Sequence, residues 1–368
     1  MSRSTFCESQ QTLFALQQAR RMRRARSAGF TLIELMLAVT MLSIVMYMTL
    51  DSLTRQNKTA IVTDQIVEVQ NNIRAVSGLL EREIRMAGFM VGNSVGACGV
   101  DSTTGPDQLF VSEAEAIVPD DARAGDMGAR LNSGNWNTGN AAGETGLVIT
   151  LDATTRDLDQ DGTFFYDNDD NGTNESDFRE NGGFIGGDIA NPHRGTICGT
   201  ITDVTASTIE VDILAGAIAG TVASDAPEDF VIVPAAHYEI ETAAGVGRLV
   251  RNQDLLVNGV DEFQVSYFFD NNDDGIVDNG GAASTWEERG TLVGGVDSPY
   301  DPANEDNSAL RELRFSIVLR TRAGDADFNA GQFINLENRA AVAGTDNFRR
   351  RVIEGAVRPR NIGAQGSI

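Results

Sequence analysis

Three short acidic segments hold the residues best suited to chemistry in this 368-residue chain. Asp157, Asp159 and Asp161 stand at alternate positions before Gly162; Asp167, Asp169 and Asn171 repeat the pattern before Gly172; Asp270, Asn272 and Asp274 repeat it before Gly275. Alternating side-chain oxygens followed by a glycine that permits a sharp turn are what a hard cation such as Ca²⁺ requires. None of the three completes the EF-hand form, because the twelfth positions are Asn168, Phe178 and Gly281 and a bidentate glutamate is missing. A bound ion therefore needs a later carboxylate, such as Glu175 or Asp177 for the first two segments and Asp278 for the third. Charge density favours an ion: seven Asp and one Glu lie between Arg156 and Arg179 with no basic residue among them. Folding such a loop without a cation sets like charges against one another. Asp, Asn and Gly are also the commonest turn residues, so a solvated loop is the competing reading.

Other chemistry is sparsely provided for. The two histidines, His193 and His237, are far apart, which argues against a His-based zinc centre. Gly182 to Gly187 is glycine-rich but lacks the strand, helix and acidic context of a dinucleotide site, so it reads as a flexible loop, and no organic cofactor is expected. No nucleophile and base stand in a recognisable catalytic arrangement, so the expectation is a non-enzymatic protein. Arg349, Arg350, Arg351, Arg358 and Arg360 form a basic patch near the C-terminus, suited either to an acidic face of a neighbouring subunit or to a solvated strand face.

The elements that must carry these groups are set by an uneven charge distribution. The net charge is −24, but residues 1–29 hold six arginines against Glu8 alone and are +5, which leaves −29 for the rest. An acidic chain is a poor partner for nucleic acid or an anionic lipid surface. After the basic run comes Phe30 to Leu50, 21 residues whose one charge is Glu34. As a helix it would reach roughly 31 Å, enough to cross a bilayer core. Arginines before it and acidity after it predict a cytoplasmic N-terminus and an exported remainder. A carboxylate inside a membrane helix costs about 3 kcal/mol, so Glu34 should have a partner.

Ser27-Ala28-Gly29 followed by Phe30-Thr31-Leu32-Ile33-Glu34 resembles the prepilin signature of type IV pilins and type II secretion pseudopilins. The resemblance implies cutting by a membrane peptidase between Gly29 and Phe30, methylation of the new N-terminus, and loss of the +5 leader. It also implies that Glu34 neutralises the Phe30 amine of the neighbouring subunit as helices stack. Cys7 would leave with the leader. Cys98 and Cys198 remain on the exported, oxidising side, where a disulfide closing about 100 residues is expected, with two buried free thiols as the alternative.

Beyond the membrane segment, Ile66, Val69, Ile73, Val76, Leu80, Ile84 and Ala87 recur at steps of three and four, one apolar stripe on a continuing helix. Gly88 then reads as a left-handed cap. Alternating runs follow at Gln108–Val111, Gly146–Leu151, Thr208–Leu214, Phe230–Val233, Arg248–Arg251, Glu262–Phe269 and Glu312–Thr321. The predicted organisation is a leader at 1–29, a helix at 30–88 with 30–50 transmembrane, and a strand-rich exported domain at 89–368. The fold class is α+β, pilin-like: a long helix packed on an antiparallel sheet with long acidic loop insertions. The segment Leu80 to Phe89, the strand and acidic loop from Phe263 to Asp274, the strand Leu310 to Arg322 and the closing arginines look like the large minor pilins of the PilW type, related to J-type minor pseudopilins.

That resemblance implies a minor pilin in the priming or tip complex of a type IV pilus, partnered through its helix with other minor pilins and the major pilin, and with the prepilin peptidase and the inner membrane. It implies an inner-membrane location before assembly and the pilus surface afterwards. A type II secretion minor pseudopilin, a calcium-dependent surface adhesin on the same anchor, and a membrane-tethered hydrolase are the alternatives.

Overall fold

The computed structural model describes residues 30–89, 91–113, 128–131, 140–153, 155, 158, 165–166, 175–176, 178–205, 207–220, 230–271, 286–293 and 296–362. The chain divides into two units, Met1–Val62 and Thr63–Ile368. Helix α1, Leu32–Met86, runs for 55 residues. Within the second unit its predicted stripe is buried at Val69, Ile73, Val76, Leu80, Ile84 and Ala87, while Ile66 is half-buried. Gly88 ends the helix as expected, with φ of +77°, a conformation that glycine adopts without a Cβ clash. The last-turn carbonyls, which have no intrahelical partner, are satisfied by the C-terminal segment. Arg360 N–H donates to Arg85 O at 3.1 Å, and the Asn361 amide donates to Met86 O at 3.2 Å.

Two antiparallel sheets of four or more strands, with three two-stranded sheets, form the head among the described residues. The larger has ten strands, nine of them of four residues or more: β1 (Ala97–Val100), β2 (Gln108–Ser112), β3 (Leu147–Thr150), β4 (Gly183–Asp188), β5 (Thr196–Val204), β6 (Thr208–Gly216), β7 (Phe230–Ala243), β8 (Val246–Arg251) and β9 (Asp254–Asn258). The order is β1-β2-β7-β4-β5-β6-β3, with β8 on the far part of β7 and β9 beyond it. At 14 residues, β7 organises the sheet: its first half pairs with β4, its middle with β2 and its end with β8.

The glycine-rich segment read as a flexible loop is β4, buried at all six positions between β7 and β5. Its glycines answer to crowding. A Cβ on Gly183 would sit 2.8 Å from the Phe110 ring, and one on Gly186 would sit 3.1 Å from Ile197. A strand covered this closely on both faces shows no alternation of polar and apolar residues, which is why the period-two test passes over it.

The large sheet curls far enough for β1 to lie against β5 and β6, although β2, β7 and β4 stand between β1 and β5 in the strand order. Cys98 of β1 and Cys198 of β5 are joined there as a disulfide, S–S 2.06 Å, closing 100 residues. The expected pairing is therefore present. Phe110, Phe178, Phe184, Phe230 and the aliphatic side chains of β5 and β6 fill the enclosed core.

The second sheet has the order β11-β10-β12-β13, built from β10 (Val260–Asp270), β11 (Trp286–Arg289), β12 (Leu310–Arg320) and β13 (Arg350–Val357). Leu313, Phe315, Ile317 and Leu319 share one face, as their alternation predicts. That face joins Phe263, Val265 and the α1 stripe in a second core. The helix thus covers this sheet, and the described architecture is α+β and pilin-like.

Candidate functional site

The start of α1 is built by local chemistry. Thr31 stands just before the helix, and its N–H and Oγ1–H both donate to Glu34 Oε2 at 3.0 Å, while Glu34 N–H donates back to Thr31 Oγ1 at 3.3 Å. Threonine followed three residues later by glutamate is a capping box, which satisfies helix donors that otherwise lack partners. The negative carboxylate also sits at the positive end of the helix dipole. Glu34 Oε1 has no partner among the described residues. Phe30 is 88% exposed, and every large apolar side chain from Leu32 to Leu53 is more than half exposed. This part of α1 is long and apolar enough to cross a membrane. Gly29, on the other side of the predicted cut, lies outside the described residues.

Residues 24–49 match the prokaryotic N-terminal methylation motif. The match supports a type IV pilin-like or pseudopilin chain, and the apolar helix fits the single membrane anchor of such a prepilin-type protein. It covers the end of the basic run and the first part of α1, and none of the head. Neither a curated protein nor a solved structure matches this chain.

Of the predicted cation ligands, Asp157, Asp159, Asp161, Asp167, Asp169, Asn171, Asn272, Asp274 and Asp278 lie outside the described residues. Asp270 is described. It ends β10 at 1% exposure, with Oδ2 3.7 Å from Arg311 Nε. A cation at this loop would share that carboxylate with a guanidinium. Among the described residues no group of three or more His, Cys, Asp or Glu is arranged to hold a metal ion.

Where the prepilin-type helix enters the head, a charged network fastens it. Glu83, one turn from the end of α1, takes Arg251 Nε of β8 at 3.1 Å and accepts a hydrogen bond from the Tyr238 hydroxyl of β7. Arg251 reaches onward to Glu113 at 2.7 Å. Burial alone would lower the Arg251 pKa, but the two carboxylates outweigh it and hold the guanidinium above its ordinary value. Burial and the adjoining Glu83 push the Tyr238 hydroxyl well up. The network borders a cavity of about 330 Å³ whose apolar part is Met86, Phe89 and Ala236. Ser112 Oγ accepts the Gly88 N–H at 2.8 Å beside it.

A second polar cluster joins the two sheets. Asp107, on the loop between β1 and β2, accepts Ser102 N–H at 2.8 Å and Val265 N–H at 2.7 Å. Burial pushes its carboxyl up to about 8, with Asp101 and Glu262 adding to the shift and the two N–H donors opposing it. Asp101 accepts Tyr300 N–H and the Asn338 amide, both at 2.6 Å, and Glu262 accepts from Arg339 at 3.0 Å. Sequence separation hid both clusters. The Thr31 to Glu34 spacing, by contrast, is a local signal.

Part of the C-terminal basic patch is used internally. Arg349 pairs with Asp325 at 2.7 Å, and Arg350 pairs with Asp261 and Asp346, both at 2.6 Å. Arg351 and Arg360 have no acidic partner among the described residues.

Proposed function

We propose that this chain is a minor pilin of the PilW type, cut between Gly29 and Phe30 by a prepilin peptidase and used in the priming or tip complex of a type IV pilus. The observation that carries the proposal is the methylation motif leading directly into a 55-residue helix whose far half is the spine of a large β head. In this reading the role is structural and non-enzymatic. The apolar helix anchors the chain in the inner membrane, with the head outside the cytoplasm, and later packs among the helices of other minor pilins and the major pilin. Glu34 supports that step: one carboxylate oxygen is held by Thr31, and Oε1 is left for the α-amine of a neighbouring Phe30. The acidic segments, including Asp270 to Asp278, serve as Ca²⁺ loops. The same motif supports a minor pseudopilin of type II secretion, which is the second reading.

Replacing Glu34 by alanine tests the assembly role. The expected result is a chain that is cut and folded but missing from sheared pili, with piliation reduced. Normal incorporation of Glu34→Ala would contradict it. Deletion that spares piliation and abolishes export of secreted enzymes would favour the pseudopilin.

A further inference from the structure

β13 ends the four-stranded sheet, and no described strand pairs with its outer edge. Its pairing with β12 runs through eight residue pairs without a bulge. Two bonds fix which backbone groups face inward. Thr321 N–H donates to Arg349 O at 2.9 Å, whereas Arg320 N–H turns the other way, to Gly259 O at 2.8 Å. Antiparallel strands alternate strictly, so Arg351, Ile353, Gly355 and Val357 bond to β12, and the N–H and C=O groups of Arg350, Val352, Glu354 and Ala356 point outward. These groups have no protein partner among the described residues. Among the described residues, the other strands at the ends of the two larger sheets, which include β1, β3, β9 and β11, are at most five residues long. Natural proteins usually shorten, bend or cover such an edge, because an exposed row of unpaired groups is a template for another strand.

Ion pairs tie the strand down, and its remaining charge is mildly basic. Arg349 and Arg350 are tied into the head by three aspartates, while Val352 is 42% exposed and Arg351, Glu354 and Ala356 are exposed. From Arg350 to Arg360 there are four arginines and one glutamate; Arg350 is paired with Asp261 and Asp346 and Arg358 with Glu312 at 3.3 Å, which leaves Arg351 and Arg360 as the cations without an acidic partner among the described residues, against Glu354. We propose that β13 is a docking edge that takes an extended, acidic strand from a neighbouring protein subunit, adding a fifth strand to this sheet. Backbone bonds would supply the pairing and the arginines the selection by charge. A second copy offering its own β13 would bring a second Arg351 and Arg360 rather than an acidic partner for them, which disfavours self-pairing. The proposal is independent of the pilin assignment.

Amide hydrogen exchange of the full chain in detergent micelles, read over residues 350–357, tests it with an eight-residue peptide alternating Glu and Val. At saturation the expected result is about tenfold slower exchange of the outward amides, with no slowing by the matching Lys and Val peptide. Glu354→Pro removes one outward N–H and leaves the ladder to β12 intact, so it should keep the melting temperature and lose the protection. If that variant does not fold, Arg351→Glu with Arg360→Glu serves instead, and it should weaken protection by the acidic peptide. No protection by the acidic peptide, equal protection by the basic one, or full protection in these variants would overturn the proposal. So would protection that rises with protein concentration in the absence of peptide, which would make a second copy the occupant.

Discussion

Glu83 is the carboxylate through which the last turns of α1 hold the sheet, and its removal is predicted to loosen that end of the helix from the head. Glu83→Ala deletes the contact to Arg251 at 3.1 Å and takes the acceptor from the Tyr238 hydroxyl. Breaking a fully buried ion pair from one side costs about 3–5 kcal/mol. Here the side chains retain 20% and 15% exposure, and Arg251 keeps Glu113 at 2.7 Å, so a loss of about 1–2 kcal/mol is assigned to the ion pair. Tyr238 is fully buried, and leaving its hydroxyl without a partner adds about 1–2 kcal/mol. The sum of about 3 kcal/mol corresponds to a fall of about 5 °C in melting temperature for a folded unit of this size. Thermal and urea unfolding of the full chain in micelles measure it, with exposed Arg85→Ala as a control expected to stay within about 0.5 kcal/mol. Glu83→Ala and Tyr238→Phe combined should cost less than the sum of the two, since each removes the same hydrogen bond. A Glu83→Ala loss no larger than that of the control, or strict additivity in the double variant, would refute the reasoning.

Reduction of Cys98–Cys198, or replacement of both residues by serine, should lower stability by up to about 4.7 kcal/mol for a 100-residue loop and be visible as a lower melting temperature; an unchanged melt would remove the staple from the account. Asp107, held at about 8 by burial, binds a proton in the folded state that it releases when unfolded. Its contribution is therefore complete at acid pH, below the ordinary carboxylate value, and is lost as pH rises through about 8. Asp107→Asn should flatten that slope in melts taken from pH 5 to 9. His237 acts with the opposite sign: burial lowers it to about 4, so its contribution holds above pH 6.5 and is lost as pH falls toward 4. His237→Gln should flatten the acid side of the same profile. Millimolar Ca²⁺ should raise the melting temperature relative to a chelator, and Asp274→Asn with Asp278→Asn should reduce the rise; calorimetry without heat would end the calcium assignment.

Local patterns in the sequence told most about the elements. The α1 stripe from Val69 to Ala87, the Gly88 stop and the alternation of β12 each rest on residues a few positions apart, and all seven expected strands are present. β4 was hidden because its glycines serve close contacts with Phe110, 73 residues away from Gly183, and with Ile197 on the neighbouring strand, which no local periodicity reports. β7 was expected only at Phe230–Val233, although it runs on to Ala243 through Pro234, Ala235 and Ala236, where alternation fades. The links from Glu83 to Arg251 and from Asp107 to Val265 span more than 150 residues, beyond the reach of any periodicity. The candidate site divides in the same way. Phe30, Thr31 and Glu34 carry their meaning in a five-residue span, whereas the arginines near the C-terminus read as one patch until their partners separate Arg349, Arg350 and Arg358 from Arg351 and Arg360.

The central claim is that the +5 leader is removed and the apolar helix begins the mature chain. Intact-mass and N-terminal sequencing of the protein recovered from its native membrane test it most directly. The account predicts a mature chain starting at a methylated Phe30, and retention of the leader when Gly29 is replaced by a bulky residue. A native chain that keeps residues 1–29, or one cut after Leu50 so that the helix is lost, would contradict it.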